Sequence, residues 1–203
     1  MSVVLWVAVV ILVITSVGLL IARDWRVSII LLATQYLALS ILLLPRWPLG
    51  LVSVKLVAGW MSSAILGMTR SGIAGEDTED GIWSLGRLFR LFAAGMVIVI
   101  VVASAQAVDK IMAGAGISAT TGSLLLIGMG LLHLGITSHM LRVTLGLMTV
   151  LAGFELLYSS VESSTLVVGL LAIINLGMAL AGSYLLLAST PVVENTEQPL
   201  GEQ

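Results

Sequence analysis

The stretch SLLLIGMGLLHLGITSHMLRVTLGLMTVLAGFELLY, residues 123–158, holds two long apolar runs with a short polar turn between them. Its only formal charges are those of Arg142 and Glu155. A helix needs roughly 20 mostly apolar residues to cross the hydrocarbon core of a bilayer, and each run approaches that length. The stretch therefore predicts two membrane-spanning helices joined by a tight turn.

The rest of the chain continues this pattern. Its 203 residues are 59% hydrophobic and only 10% charged, a composition outside the range of soluble globular domains. Seven runs are long enough to cross a bilayer: residues 3–22, 27–44, 49–68, 88–107, 117–137, 141–160 and 164–188. The predicted fold class is an all-α, polytopic membrane protein with about seven transmembrane helices.

Composition also excludes several functions. The net charge of −2 leaves no basic surface for nucleic acid, and the absence of cysteine excludes thiol catalysis and iron–sulfur ligation. The two histidines, His133 and His139, are too few to favour a metal site. No phosphate loop, GxSxG, HExxH or GxGxxG motif is present. We therefore predict no catalytic residue, metal or cofactor in this chain, and the lipid bilayer as one partner.

Basic residues predict the orientation of the chain in the membrane. With the N-terminus outside, six arginines face the cytoplasm, namely Arg23, Arg26, Arg70, Arg87, Arg90 and Arg142. Only Arg46 and Lys110 face outward. Cytoplasmic loops carry an excess of Lys and Arg, so the count favours an N-out, C-in topology.

The chain divides into five predicted segments. These are an N-terminal three-helix membrane unit (1–69), a cytoplasmic acidic loop (70–87), a connecting helix and loop (88–115), a second three-helix unit (116–188) and a disordered acidic tail (189–203). In the loop, GEDTED at 75–80 precedes GIWSLGRLFRLF. It is interpreted as an exposed turn followed by the start of an interfacial helix, or as a docking surface for a soluble partner.

The two three-helix units share a local similarity. RDWRVSIILLATQ and HMLRVTLGLMTVL align when Arg26 is placed on Arg142. Either a parallel duplication, with the fourth span as connector, or chance similarity between apolar helices explains this match. Small residues spaced four apart, in the pairs Thr149/Gly153 and Gly177/Ala181, predict close packing of the last three spans.

Polar residues inside the spans are the candidate functional residues, because a charge in lipid is costly and usually has a role. Lys55 lies about 9 Å, and Glu155 about 8 Å, below the outer ends of their spans. They either form an ion pair or extend separately to the outer interface. Gln35 and Asn175 lie near mid-membrane and His133 lies in the inner half. These three are interpreted as steps of a proton relay or as groups that hydrogen-bond to neighbouring helices. The aromatic side chains of Tyr36 and Trp60, also mid-span, are predicted to face protein.

Residues 124–160 resemble segments of known families. LLLIGMGLLHLGITSHMLRVTLGLMTVLAGFELLYSS, followed by an apolar helix, resembles the three-helix subunit K of respiratory complex I and the corresponding C component of multisubunit cation/proton antiporters. With the four preceding spans, and Lys55 in SVKLVAG, the chain resembles component E of hydrogenase-4 and formate-hydrogenlyase complexes. The resemblance implies that residues 116–188 form a subunit K-like bundle.

The resemblance also has departures. A subunit K-type glutamate falls at Glu155 when GFE is matched, but at Met148 when the upstream loop SHMLR is matched. The second glutamate of subunit K has no counterpart, and Asn175 occupies roughly that region. An amide cannot carry a proton as a carboxylate does. The resemblance therefore supports membership in such a complex more than it supports an intact proton path of that type.

Three functional hypotheses follow. The first, implied by the resemblance, is a membrane-arm subunit that helps to couple redox chemistry, performed elsewhere, to proton or sodium movement. Its partners would be larger antiporter-like subunits and a redox module, and its location the cytoplasmic membrane. The second is a purely structural subunit that bridges such partners. The third is an autonomous small transporter built from two three-helix repeats.

Overall fold

Seven α-helices make up most of the chain in this computed structural model, which describes residues 2–73, 83–112, 116–161 and 164–189. They are α1 (Ser2–Ile21), α2 (Trp25–Leu43), α3 (Leu49–Ser71), α4 (Trp83–Ile111), α5 (Ile117–Ile136), α6 (Met140–Tyr158) and α7 (Thr165–Ala188). Each of the seven is long and apolar enough to cross a membrane. The predicted all-α, multi-pass membrane fold is confirmed at this level.

Six helices match the predicted spans to within three residues at each end, and α4 is the exception. It begins at Trp83 rather than at 88 and continues to Ile111. Arg87 and Arg90 lower the hydropathy of its first turns without breaking the helix, since long basic side chains can extend to the interface from a helix end. The predicted acidic turn at 75–80 and the tail from 190 onward lie outside the described residues.

The helices form two layers of three. In one layer α2 lies between α1 and α3, and in the other α6 lies between α5 and α7. Between the layers α1 packs on α5, α2 on α6 and α3 on α7. The connecting helix α4 lies outside both layers, against α5 and α1, and is the least buried of the seven.

The two layers correspond in length and in register. Helices α1, α2 and α3 have 20, 19 and 23 residues, and α5, α6 and α7 have 20, 19 and 24. With Arg26 placed on Arg142, buried positions of α3 fall on buried positions of α7, among them Val52 on Val168, Lys55 on Leu171 and Gly59 on Asn175. A parallel duplication would leave this correspondence, and the duplication stays a prediction.

Glycine permits a close approach of the backbones of α5 and α6. A β-carbon at Gly153 would lie 2.8 Å from the backbone of Ile127 and Ser123, and one at Gly130 would lie 2.8 Å from the Val150 nitrogen. The predicted role of Gly153 in packing is therefore seen. The prediction for Gly177 and Ala181 is wrong, because both residues lie on the exposed face of α7.

Most of the arginines lie at one end of the bundle. This end, called here the arginine end, holds Arg23, Arg26, Arg70, Arg87, Arg90 and Arg142 beside the ends of α1 and α3 and the starts of α2, α4 and α6. The other end, called here the opposite end, holds Arg46 and Lys110. The two ends fix a reference for depth in the bundle.

Candidate functional site

The interior of the bundle contains a buried ion pair between Lys55 of α3 and Glu155 of α6. Both side chains are only 1% exposed. Neither side chain extends to the interface. Of the two interpretations of Lys55 and Glu155, the structure therefore supports the ion pair. Each ion would cost several kcal/mol to bury alone, and their attraction in a low-dielectric interior offsets much of that cost.

Tyr36 of α2 is the third member of this site. The Lys55 nitrogen lies 5.4 Å from the centre of the Tyr36 ring, within the range at which an aromatic face attracts a cation. The ring is almost fully buried, as predicted for this residue. The lysine ammonium is therefore held between a carboxylate and an aromatic face, and both favour its charged form.

Asn175 and Gly59 fix the position of the tyrosine. The Tyr36 hydroxyl donates a hydrogen bond of 3.0 Å to Oδ1 of Asn175 on α7. On the other side of the ring, a β-carbon at Gly59 would overlap the ring carbons of Tyr36. Four helices thus contribute to one connected group, which we call the Lys55 site: Tyr36, Lys55, Glu155 and Asn175, with Gly59 beneath the ring.

Gln35, although next to Tyr36 in the chain, does not belong to the Lys55 site. Neighbouring residues of an α-helix point about 100° apart, so the Gln35 side chain leaves α2 in a different direction from the Tyr36 ring. Both amide atoms of Gln35 are buried and have no hydrogen-bond partner among the described residues. Leu31 and Leu42 share a helix face with Gln35 and lie against Gly18 of α1 and Gly122 of α5, so Gln35 faces the core on the side of α1 and α5.

His133 of α5 is also apart from the Lys55 site. It is buried, and its Nε2 atom has no hydrogen-bond partner in the described part of the chain. The charged groups that act on it most are Arg142 of α6 and Arg90 of α4. His133 therefore lies toward the arginine end.

Two of these arginines bind the end of α1. Arg142 donates a hydrogen bond of 3.0 Å to the Ala22 carbonyl, and Arg90 one of 3.4 Å to the Leu20 carbonyl. The last carbonyls of a helix lack partners within it and carry partial negative charge, so cations are favourable there. These contacts join α4 and α6 to α1 at the arginine end.

A smaller set of polar residues lies together at the opposite end of the bundle. Thr120 of α5 donates a hydrogen bond of 2.9 Å to Asp109 of α4. The Asp109 charge also acts on Arg46 in the turn between α2 and α3. Partial burial lowers the pKa of Arg46, and the Asp109 charge partly offsets this effect. This group ties α4 to the two layers.

The structure thus brings three of the five predicted residues together and separates two. Lys55, Glu155 and Asn175 meet, and the residue that joins them is Tyr36, which the sequence analysis assigned only to the protein interior. A signal was present, since a tyrosine hydroxyl in mid-span needs a hydrogen-bond partner. Trp60, by contrast, was predicted to face protein and is 48% exposed, although its indole nitrogen donates to the Ala33 carbonyl.

The Lys55 site holds two opposite charges in contact, with the carboxylate of Glu155 against Lys55. If Glu155 took up a proton, the attraction would be lost and Lys55 would keep only the Tyr36 ring as a partner. Comparisons of the chain with protein-family models, curated proteins and solved structures find no significant match.

Proposed function

We propose that this chain is a membrane-arm subunit of a complex I-like or group 4 hydrogenase-like assembly, and that the Lys55 site moves ions within it. The observation that carries the proposal is the fully buried Lys55–Glu155 pair. The sequence resemblance supplies the class of assembly. Proton movement is the form favoured, with sodium as the other ion considered.

The buried pair supports an ion-moving role because stability does not require it. Apolar residues of similar volume often replace a buried ion pair at no cost, or with a gain, in stability. A charged pair inside the membrane therefore points to a use for its charge. In the proposed mechanism, proton binding at Glu155 releases Lys55, and loss of the proton restores the pair.

The other predicted residues have supporting roles in this proposal. Asn175 holds Tyr36, which faces Lys55. Gln35 and His133 remain proposed hydrogen-bonding steps on the arginine side of the site. In this proposal, a proton path from His133 through Gln35 reaches the Lys55 site at Tyr36, which follows Gln35 in the chain.

The proposed orientation is N-out and C-in, in the cytoplasmic membrane of the cell. Its support is the gathering of six arginines at the arginine end, which would face the cytoplasm. The Lys55 site would then lie in the outer half of the bilayer. Proposed partners are larger antiporter-like membrane subunits and a redox module.

Membership in an assembly is tested by purification in mild detergent from native membranes, with a tag on this chain. Mass spectrometry of the retained proteins should identify antiporter-like subunits and a module that carries redox centres. Recovery of the chain alone, or only as a homo-oligomer, would overturn the subunit role.

The role of the pair is tested by removing both charges together. The double variant Lys55→Met/Glu155→Leu leaves no unpaired buried charge, so it should still assemble. We expect it to lose ion movement in membrane vesicles energised by the redox reaction of the assembly. The matched control is Lys110→Met, which removes an exposed lysine and should retain ion movement. Full ion movement in the double variant would leave the chain with a purely structural role.

One observation favours an autonomous transporter as the second candidate. The two layers correspond in helix length and in buried positions, as the halves of repeat-built transporters do. The purified chain in sealed vesicles, with a pH-sensitive dye inside, should stay inactive if it needs partners. Proton flux that is abolished by the Lys55→Met/Glu155→Leu variant would instead favour autonomy.

A further inference from the structure

Among the described residues, seven side chains outside the Lys55 site have a buried polar atom without a hydrogen-bond partner. Three of them lie on the helices α1, α2 and α5: the hydroxyl of Ser16, both amide atoms of Gln35 and Nε2 of His133. Each of the three residues is at most 4% exposed. A buried polar atom without a partner costs about 1–3 kcal/mol, so most such atoms in proteins bind another group or an ordered water.

Ser16 differs from most buried hydroxyl side chains of this protein. Thr15, Ser40, Ser63 and Thr149 each donate a hydrogen bond to a carbonyl in the preceding turn of their own helix. Ser16 has no such bond. Its hydroxyl is therefore available to a group between the helices.

The three side chains face one part of the core, as their spacing from Gly122 of α5 shows. A β-carbon at Gly122 would lie 2.9 Å from Leu42 of α2 and 3.3 Å from Leu12 of α1. Residues four, seven or eleven apart share a helix face. Ser16 is four residues from Leu12, Gln35 is seven from Leu42, and His133 is eleven from Gly122 itself.

The depths of Ser16 and Gln35 are close. A β-carbon at Gly18 of α1 would lie 2.9 Å from Leu31 of α2, so these two residues lie at about one level. At 1.5 Å per residue, Ser16 lies about 3 Å and Gln35 about 6 Å from that level, both away from the arginine end. His133 lies nearer the arginine end, where Arg142 and Arg90 act on it. Two hydrogen bonds through one water span about 5–6 Å, so the difference of about 3 Å in depth between Ser16 and Gln35 suits a bridging water.

We propose that Ser16, Gln35 and His133 form a buried water-binding site between α1, α2 and α5. The ligand is water, held by one hydroxyl, one amide and one imidazole nitrogen. These groups supply both donors and acceptors, as a bound water needs. The cations that act on its His133 member are Arg142 and Arg90. Occupancy by water does not depend on the proposed function.

Radiolytic labelling detects bound water directly, because an X-ray pulse converts a buried water into a hydroxyl radical that attacks the nearest side chain. Met129 is the natural reporter. It is 2% exposed and lies four residues before His133 on the same face of α5. In the full chain in detergent, we expect Met129 to be oxidised despite its burial.

The label should depend on the site. Gln35→Leu and Ser16→Ala should each lower Met129 oxidation at least threefold, while oxidation of the exposed Met140 stays constant. The matched control is Gln106→Leu, which makes the same chemical change on the exposed face of α4. Absence of the Met129 label in the wild-type chain, or an equal label in both site variants, would overturn the proposal.

Thermal unfolding gives a second measurement that does not use the label. Replacing an unpaired amide in a dry core by an apolar side chain of similar size is neutral or stabilising. Replacing an amide that binds water breaks the hydrogen bonds of the water. Gln35→Leu should therefore lower Tm. For a chain of this length, a Tm shift of about 2–4 °C corresponds to each kcal/mol of stability lost. A raised or unchanged Tm would mean that the site is dry.

Discussion

Gly59 is the residue that determines where the Tyr36 ring lies. It follows Lys55 by one helical turn, so the two residues share a face of α3. Because Gly59 has no side chain, the ring occupies the space that a β-carbon would take. The ring then lies beneath the lysine ammonium, 5.4 Å from ring centre to nitrogen. One glycine thus supports the charged form of Lys55 through the ring.

Gly59→Ala should therefore destabilise the protein. The added methyl group forces the Tyr36 ring away from Lys55, and overpacking of this kind costs about 1–3 kcal/mol. The matched control is Gly177→Ala, since a β-carbon at Gly177 meets nothing within 4 Å. Thermal unfolding of the purified variants in one detergent measures the difference. Equal Tm values for the two variants would contradict the assigned role of Gly59.

Tyr36→Phe isolates the hydrogen bond from the ring. The ring and its attraction for Lys55 remain, but Oδ1 of Asn175 loses its donor in a buried position. We expect a loss of about 1–3 kcal/mol in the free energy of unfolding. The double variant Tyr36→Phe/Asn175→Leu removes both polar partners and should be more stable than Tyr36→Phe alone. Additive losses would show that the bond contributes little.

The α5–α6 hairpin is the tightest contact between elements. At Gly153 the neighbours of an added β-carbon are two backbone atoms of α5 and the β-carbon of Leu126, none of which can rotate aside. Gly153 precedes Glu155 by two residues on the same turn of α6, so the close backbone contact lies at the level of the Lys55 site.

Gly153→Ala should consequently cost about 3 kcal/mol, at the upper end of the range for overpacking. The control on the same hairpin is Gly135→Ala, because a β-carbon at Gly135 meets no atom within 4 Å. Denaturation monitored by tryptophan fluorescence compares the two. A Gly153→Ala chain as stable as Gly135→Ala would mean that the helices can separate at little cost.

At the scale of elements, the sequence predicts which residues are helical better than it predicts which way they face. Hydropathy alone locates the seven helices, because spanning a bilayer is a local requirement of length and composition. The orientation of Gln35 and Trp60 depends on the neighbours of α2 and α3, and apolar helices give few cues to their neighbours. The meeting of Lys55 and Glu155 could be expected from their shared depth, but the place of the Tyr36 ring against Lys55 could not.

The whole molecule has a polarity set by its arginines. Six of them lie at the arginine end, and two basic residues lie at the opposite end. Arginines at the ends of helices also bind carbonyls there, so their placement serves both insertion and packing.

The proposed orientation can be tested with single cysteines, because the chain has none of its own. Ser71→Cys lies at the arginine end and Lys110→Cys at the opposite end, and both positions are exposed. A membrane-impermeant maleimide applied to intact cells should label Lys110→Cys only. Both variants should react once the membrane is permeabilised. Labelling of Ser71→Cys alone would reverse the orientation.

The position of α4 outside the two layers has a consequence of parity. A unit of three crossings ends on the side opposite to where it began, so a second unit joined directly to the first would be upside down. One added crossing, supplied by α4, restores the direction of the second unit. The end of α6 and the start of α3 then lie on the same side of the membrane, and Glu155 meets Lys55 at one depth. The helix with the fewest buried contacts is thus the one that lets the two charges meet.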